Sequence, residues 1–109
     1  MQPQFVKKGE AISSMEEPGK LFRLLLKSAN MEAVVAEIQA GTSSKLYQHE
    51  GEEIHIVLEG KMEYIVGDKT YKMEKGDTLW HRSDILHGVR NRGSKKATYL
   101  TVGSPPTFV

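Results

Sequence analysis

The chain has no cysteine among its 109 residues. Disulfides, thiolate nucleophiles and cysteine-held zinc are excluded together. It has almost no net charge, +1 with neutral histidines, so bulk electrostatics gives no reason to expect a nucleic-acid or anionic-membrane partner. No apolar run approaches the ~18 residues of a membrane span. Residues Met1 to Glu10 lack the apolar centre of a secretion signal, and a soluble cytoplasmic protein is expected. There is no glycine-rich phosphate loop, no nucleophile elbow, no Ser-His-Asp arrangement and no legible recognition helix.

What remains is ordinary in bulk: 39% hydrophobic and 27% charged residues, enough for one core in one domain spanning residues 1–109. Glycine and turn residues are frequent in its second half. Gly60, Gly67-Asp68, Gly76-Asp77 and Gly93-Ser94 separate strand-length segments at Lys45–Gln48, Glu53–Leu58, Lys61–Val66, Thr70–Met73, Thr78–His81, Val89–Arg92 and Ala97–Val102. Gly67-Asp68 is the clearest hairpin signal, because glycine tolerates the positive φ of a two-residue turn. This density of turns predicts an all-β sandwich or barrel.

The first half is less regular. Phe5–Lys8 reads as a short strand, Ser13–Lys20, with Pro18-Gly19, as a loop, and Leu21–Leu26 as a buried strand. Met31–Ala40 fits both a helix, through Met31, Val34, Val35 and Ile38, and a strand with Val34, Ala36, Ile38 and Ala40 on one face. Its neighbours favour the strand. The residues from Gly103 read as an extended tail, since neither Pro105 nor Pro106 can donate to a ladder.

The chemistry concentrates in Tyr47-Gln-His-Glu-Gly-Glu-Glu53. Alternation puts Glu53, His55 and Val57 on one face of a strand. A carboxylate facing a barrel interior needs a partner. Glu53 with His49 and His87 makes a set of two histidines and one carboxylate, sufficient for a divalent transition metal with positions left open. The plainer alternative pairs Glu53 with an Arg or Lys and leaves His49 exposed in a loop. His55 and His81 are candidate pocket residues able to act as acid, base or ligand contact. Met62, Tyr64 and Val66 read as core, Trp80 as pointing away from His81, and Arg82, Arg90, Arg92, Lys95 and Lys96 as a solvated basic cluster.

Residues 41–91 resemble a cupin. Gly41, His49, Glu53 and Gly60 fall in register on the first cupin motif, with Tyr47 at the position of its first histidine. Gly76, His87 and Asn91 match the second, with Arg82 and Asp84 in place of its Pro and Gly. Seven of ten marked positions are kept. The resemblance implies a jelly-roll barrel with a metal deep in a pocket. Family members commonly use three histidines and a glutamate, of which His49, Glu53 and His87 are present here. The phenol of Tyr47, with an ordinary pKa near 10, is a poor ligand at neutral pH and can instead line the pocket or hold a metal-bound water. His81 is a candidate replacement for the missing ligand.

The phrase Gly51-Glu-Glu-Ile-His-Ile-Val-Leu-Glu-Gly60 is similar to the ligand-sensing cupin domains of helix-turn-helix regulators. The expectation is a metal-binding cupin that holds a small, anionic organic ligand, with iron, manganese, nickel or zinc as cofactor. The alternative is a cupin metalloenzyme of dioxygenase or isomerase type. A homodimer is expected through the N-terminal strand, because exposed sheet edges invite pairing with a second chain.

Overall fold

The computed structural model describes residues 2–108. They form nine strands: β1 (Ser13–Glu17), β2 (Lys20–Lys27), β3 (Glu32–Ile38), β4 (Glu52–Glu59), β5 (Lys61–Val66), β6 (Lys69–Glu74), β7 (Thr78–Arg82), β8 (His87–Arg90) and β9 (Ala97–Ser104). All pairings are antiparallel. Six strands make one sheet in the order β1-β2-β3-β9-β4-β7, and three make the other, β6-β5-β8. No helix in the described residues is long and apolar enough to cross a membrane.

The core lies where the inner faces of the two sheets meet. In β3, Glu32, Val34, Ala36 and Ile38 are buried while the residues between them are half-buried, the period-two pattern of a strand with one face on a core. That resolves Met31–Ala40 as strand. Ala36, Ile38, Val57, Ala97 and Tyr99 from the large sheet pack with Met62, Tyr64, Met73 and Val89 from the smaller sheet. The Gly67-Asp68 hairpin forms as expected, with Val66 paired to Lys69 and Gly67 at φ 61°.

Several expectations for the first half are corrected. Phe5–Lys8 is not a strand, and Phe5 is 83% exposed, with no sheet to pack on. The strand lies instead at Ser13–Glu17, and Pro18-Gly19 is the two-residue turn that pairs Glu17 with Lys20. β1 is almost wholly exposed, so it carries no apolar alternation by which to be recognised. Lys45–Gln48 is not a regular strand; its ladder pairing with the small sheet is a single bridge between Tyr47 and His87. The tail begins at Pro105, because β9 runs on through Gly103 and Ser104.

Four of the five residues of the basic cluster face a carboxylate. Arg82 meets Asp84 at 2.6 Å, Lys96 meets Glu37 at 3.1 Å, and Arg90 and Arg92 both face Glu63. Trp80 points outward, 56% exposed, and donates its indole N–H to Glu52 at 2.8 Å.

Candidate metal centre

Three backbone devices bring His49, Glu53 and His87 together. The loop before β4 is tied to the β7–β8 connection by His49 N donating to Ser83 O and Ser83 N donating to Gly51 O, at 2.9 and 2.8 Å. Tyr47 and His87 exchange both backbone hydrogen bonds, at 2.7 and 2.8 Å. Gly51, between His49 and Glu53, turns the chain at φ 109°. A Cβ there would lie 2.1 Å from the carbonyl oxygen of Ser104, so only glycine lets the loop lie this close to β9.

The result is a cluster centred on one oxygen. Glu53 Oε1 lies 3.1 Å from His87 Nε2, 3.6 Å from His81 Nε2 and 3.7 Å from His49 Nε2. Ser83, fully buried, donates its hydroxyl to the same oxygen at 3.1 Å. No arginine or lysine pairs with Glu53 among the described residues, so the plainer alternative for this carboxylate does not hold. Each of these three histidines has its Nδ1 on a backbone carbonyl: Glu50 O for His49 at 3.0 Å, Arg82 O for His81 at 2.9 Å and Ile85 O for His87 at 2.7 Å. A carbonyl only accepts, so Nδ1 carries a proton and Nε2 is the nitrogen left facing the cluster; a second proton, on His87 Nε2, donates to Glu53. That is how metal-ligating histidines are held.

His55 completes the group. It is 1% exposed and stacks on Tyr64 with ring centroids 4.1 Å apart. Its Nδ1 meets Thr101 Oγ1 at 2.7 Å and its Nε2 meets His81 Nε2 at 2.8 Å. Two sets of three have ligand atoms mutually close enough for an ion, His49/Glu53/His87 and Glu53/His55/His81. The donor types fit a borderline divalent metal in either.

The electrostatics favour the ionised form of Glu53 and the neutral forms of His55 and His81. Burial pushes the Glu53 carboxyl up, but the hydrogen bond from His87 and the charges of His55, His87 and His49 outweigh it and leave it at about 2. Burial holds His55 down to about 3, against the raising effect of Glu53, and burial likewise lowers His81. His87 is raised: burial lowers it, but the Glu53 hydrogen bond, the Ile85 carbonyl and the Glu53 charge more than compensate. Burial pushes the phenols of Tyr64 and Tyr99 upward, so both remain neutral.

A cavity of about 430 Å³ opens beside the cluster. His49, Glu53, His55 and His87 form one part of its wall, and Tyr47 lines it, 45% exposed and outside both sets of three. The opposite walls are mostly apolar: Met15, Phe22, Val34, Val89, Tyr99 and Phe108. Sequence reading missed five contributors. Tyr64 is both core and cavity wall. Tyr99 and Thr101 come from the inward face of β9, whose alternation was legible but not tied to the site. Ser83 follows β7 and carries no motif. Glu32 is buried on β3 and accepts the N–H groups of Thr107 and Phe108, at 3.1 and 3.0 Å, which fixes the tail as one side of the cavity.

The sequence profile of the Cupin_2 cupin domain matches residues 34–103, well over half the chain. The chain belongs to this cupin family. Among curated relatives, an uncharacterized protein of Archaeoglobus fulgidus is 44% identical over 62 residues, covering 57% of this chain and 58% of its own. An uncharacterized protein of Methanocaldococcus jannaschii is 24% identical over 107 residues, covering 97% of this chain and 82% of its own. This cupin is similar in structure to KdgF from a Halomonas species, with TM-score 0.84 at 18% identity over 98% of this chain and 96% of that one. It is also similar to the Cupin_2 domain of an XRE-family transcriptional regulator from Enterobacter cloacae, with TM-score 0.75 at 16% identity over 82% and 99%. At these identities the structural likeness speaks to the fold: the jelly-roll architecture is shared. The buried His/Glu cluster of this cupin is one that can hold a metal.

Proposed function

We propose that this cupin binds one divalent transition ion through His49, Glu53 and His87, and a small organic ligand with an anionic oxygen in the adjacent cavity. The observation that carries this reading is the shared geometry of His49 and His87. Both rings are locked by Nδ1–H on a backbone carbonyl, and both aim Nε2 at the same carboxylate oxygen. Iron, manganese, nickel and zinc all suit such donors. Two neutral imidazoles and one carboxylate leave a formal charge of +1 on a bound dication, a charge that favours an anionic oxygen in a partly desolvated site. The ion would supply Lewis acidity toward that oxygen. The chain supplies the rest: the apolar walls exclude water, and Thr101 and Tyr47 offer hydroxyls at the cavity surface.

Elemental analysis of the purified protein tests the first half. Wild type should carry up to one equivalent of metal at this site, and His87→Ala should remove it. Equal, negligible metal in both proteins would remove this centre from the account. A metalloenzyme reading is favoured by the hydrogen-bonded imidazoles of His55 and His81 beside Glu53, groups able to carry protons next to an ion with open positions. Oxygen consumption by the iron-loaded protein distinguishes a dioxygenase from a binding protein.

A further inference from the structure

The chain has four histidines, and all four converge on Glu53, yet the ion proposed above uses only two of them. Resting on that reading for the first ion, we propose that Glu53, His55 and His81 form a second cation position, so that this cupin takes two divalent ions with Glu53 between them.

The hydrogen-bond pattern points to it. His81 Nδ1 donates to Arg82 O, so in its neutral form His81 Nε2 can only accept. His55 Nε2, 2.8 Å away, must then be the donor. It follows that His55 Nδ1 accepts from the hydroxyl of Thr101. A cation entering between the two Nε2 atoms and Glu53 displaces one proton, and that proton has a place to go. It moves from His55 Nε2 to His55 Nδ1, the ring stays neutral, and Thr101 Oγ changes from donor to acceptor, its own proton turning to the cavity it lines. A hydroxyl accepts as readily as it donates, so no buried group is left without a partner. All four histidines would then have the same arrangement: Nδ1–H on an oxygen, Nε2 toward Glu53.

The competing use of His81, as a fourth ligand to the first ion, would take the His81 lone pair from His55. It would leave Nε2 of a ring 1% exposed without a partner in either tautomer, as an N–H with no acceptor or a lone pair with no donor, and a buried unsatisfied polar group bears its desolvation cost. Charge points the same way. The cavity wall carries three carboxylates, Glu17, Glu32 and Glu53, and no lysine or arginine among the described residues. Glu17 has Lys20 at 3.1 Å. Glu32 and Glu53 have no such cation, and only Gly103 separates them: a Cβ there would lie 3.7 Å from Glu53 Cγ and 3.8 Å from Glu32 Oε2. With Glu32 counted beside the ligating Glu53, one dication only balances the wall, and a second strengthens its pull on the anionic oxygens of a ligand.

The test is zinc stoichiometry. Protein stripped with chelator is dialysed against Zn²⁺ and counted by elemental analysis, with circular dichroism checking the fold of each variant. Wild type should bind two equivalents, and His55→Ala and His87→Ala one each. Thr101→Val, which only exchanges a hydroxyl for a methyl, should weaken the second equivalent on the order of 10-fold or more and leave the first unchanged. Wild type loaded with two equivalents of Mn²⁺ should show the broadened electron paramagnetic resonance of a coupled pair, a readout that needs no variant to fold. One equivalent in wild type, lost in His87→Ala but untouched in His55→Ala, would overturn the second position and leave the first standing. One equivalent weakened by His81→Ala but not by His55→Ala would overturn it in favour of a single four-ligand ion. An isolated-ion Mn²⁺ spectrum at two equivalents would also overturn it. No zinc in any protein would sink this proposal and the one on which it rests.

Discussion

Replacing Glu53 with glutamine isolates one charge at the centre of the cluster. In the metal-free protein its carboxyl sits at about 2 against an ordinary 4.5. Every tenfold change in proton affinity between the folded and unfolded chain is worth ~1.4 kcal/mol, so the carboxylate contributes at most about 3 kcal/mol. The charge of His55 is not available above pH ~3, because burial keeps that ring neutral, so the contribution near neutrality rests on His87 and lies below that ceiling. The same interaction raises His87, and it is counted once.

The signs define a window. A depressed carboxyl stabilises the fold above its unfolded value of 4.5, and that stability is lost as pH falls toward 2. A raised histidine stabilises below its unfolded value of 6.5, and that stability is lost as pH climbs through its folded value. The penalty of Glu53→Gln should therefore be largest between about pH 4.5 and 6.5, roughly 1–3 kcal/mol, and shrink on both sides. Urea denaturation of both proteins with chelator, at about pH 3, 5.5 and 8, measures it. A penalty of equal size at all three values would show that Glu53 holds the site by shape rather than by charge, and would refute the reasoning.

Three further outcomes are expected. Titration calorimetry should find small carboxylates binding the metal-loaded protein far better than their amides; equal affinities, or binding that survives complete metal removal, would exclude a metal-anchored anion. Gly51→Ala should destabilise the fold by about 1–3 kcal/mol, through positive φ and the clash with Ser104, and should also weaken metal retention, read from a thermal melt and from elemental analysis. Light scattering at tens of micromolar should give twice the chain mass, because Ile54, Leu58 and Trp80 leave apolar surface uncovered on the large sheet and β1 and β7 are open edges; a monomer would count against it.

Much of the barrel could be read from residues 51–104 because glycines cut it into strand-length segments and β4, β5 and β7 carry a period-two pattern. Glu53 could be selected by alternation within β4, and His49 and His87 by the cupin register. The first half resisted because β1 is an exposed edge whose pairing with β2 leaves no apolar signature; Met31–Ala40, which alone leans to helix, is legible as strand only through its neighbours. The environment of the site resisted for a different reason. The approach of His81 to Glu53 depends on β7 pairing with β4, and Thr101 meets His55 only because β9 pairs with β4 on the other side. Neither pairing partner is adjacent in the chain, so spacing carries no trace of it.

The position of β9 also dictates an order of assembly. The ninth strand is an inner strand of the large sheet, paired with β3 on one side and β4 on the other. Until it arrives, those two strands have no ladder between them, and the His/Glu cluster lacks the row that supports His55. A chain without β9 thus holds two unfinished sheet edges, a topology dominated by distant contacts and slow to close. Closure of the large sheet, and with it the setting of the His/Glu cluster, waits on residues 97–104.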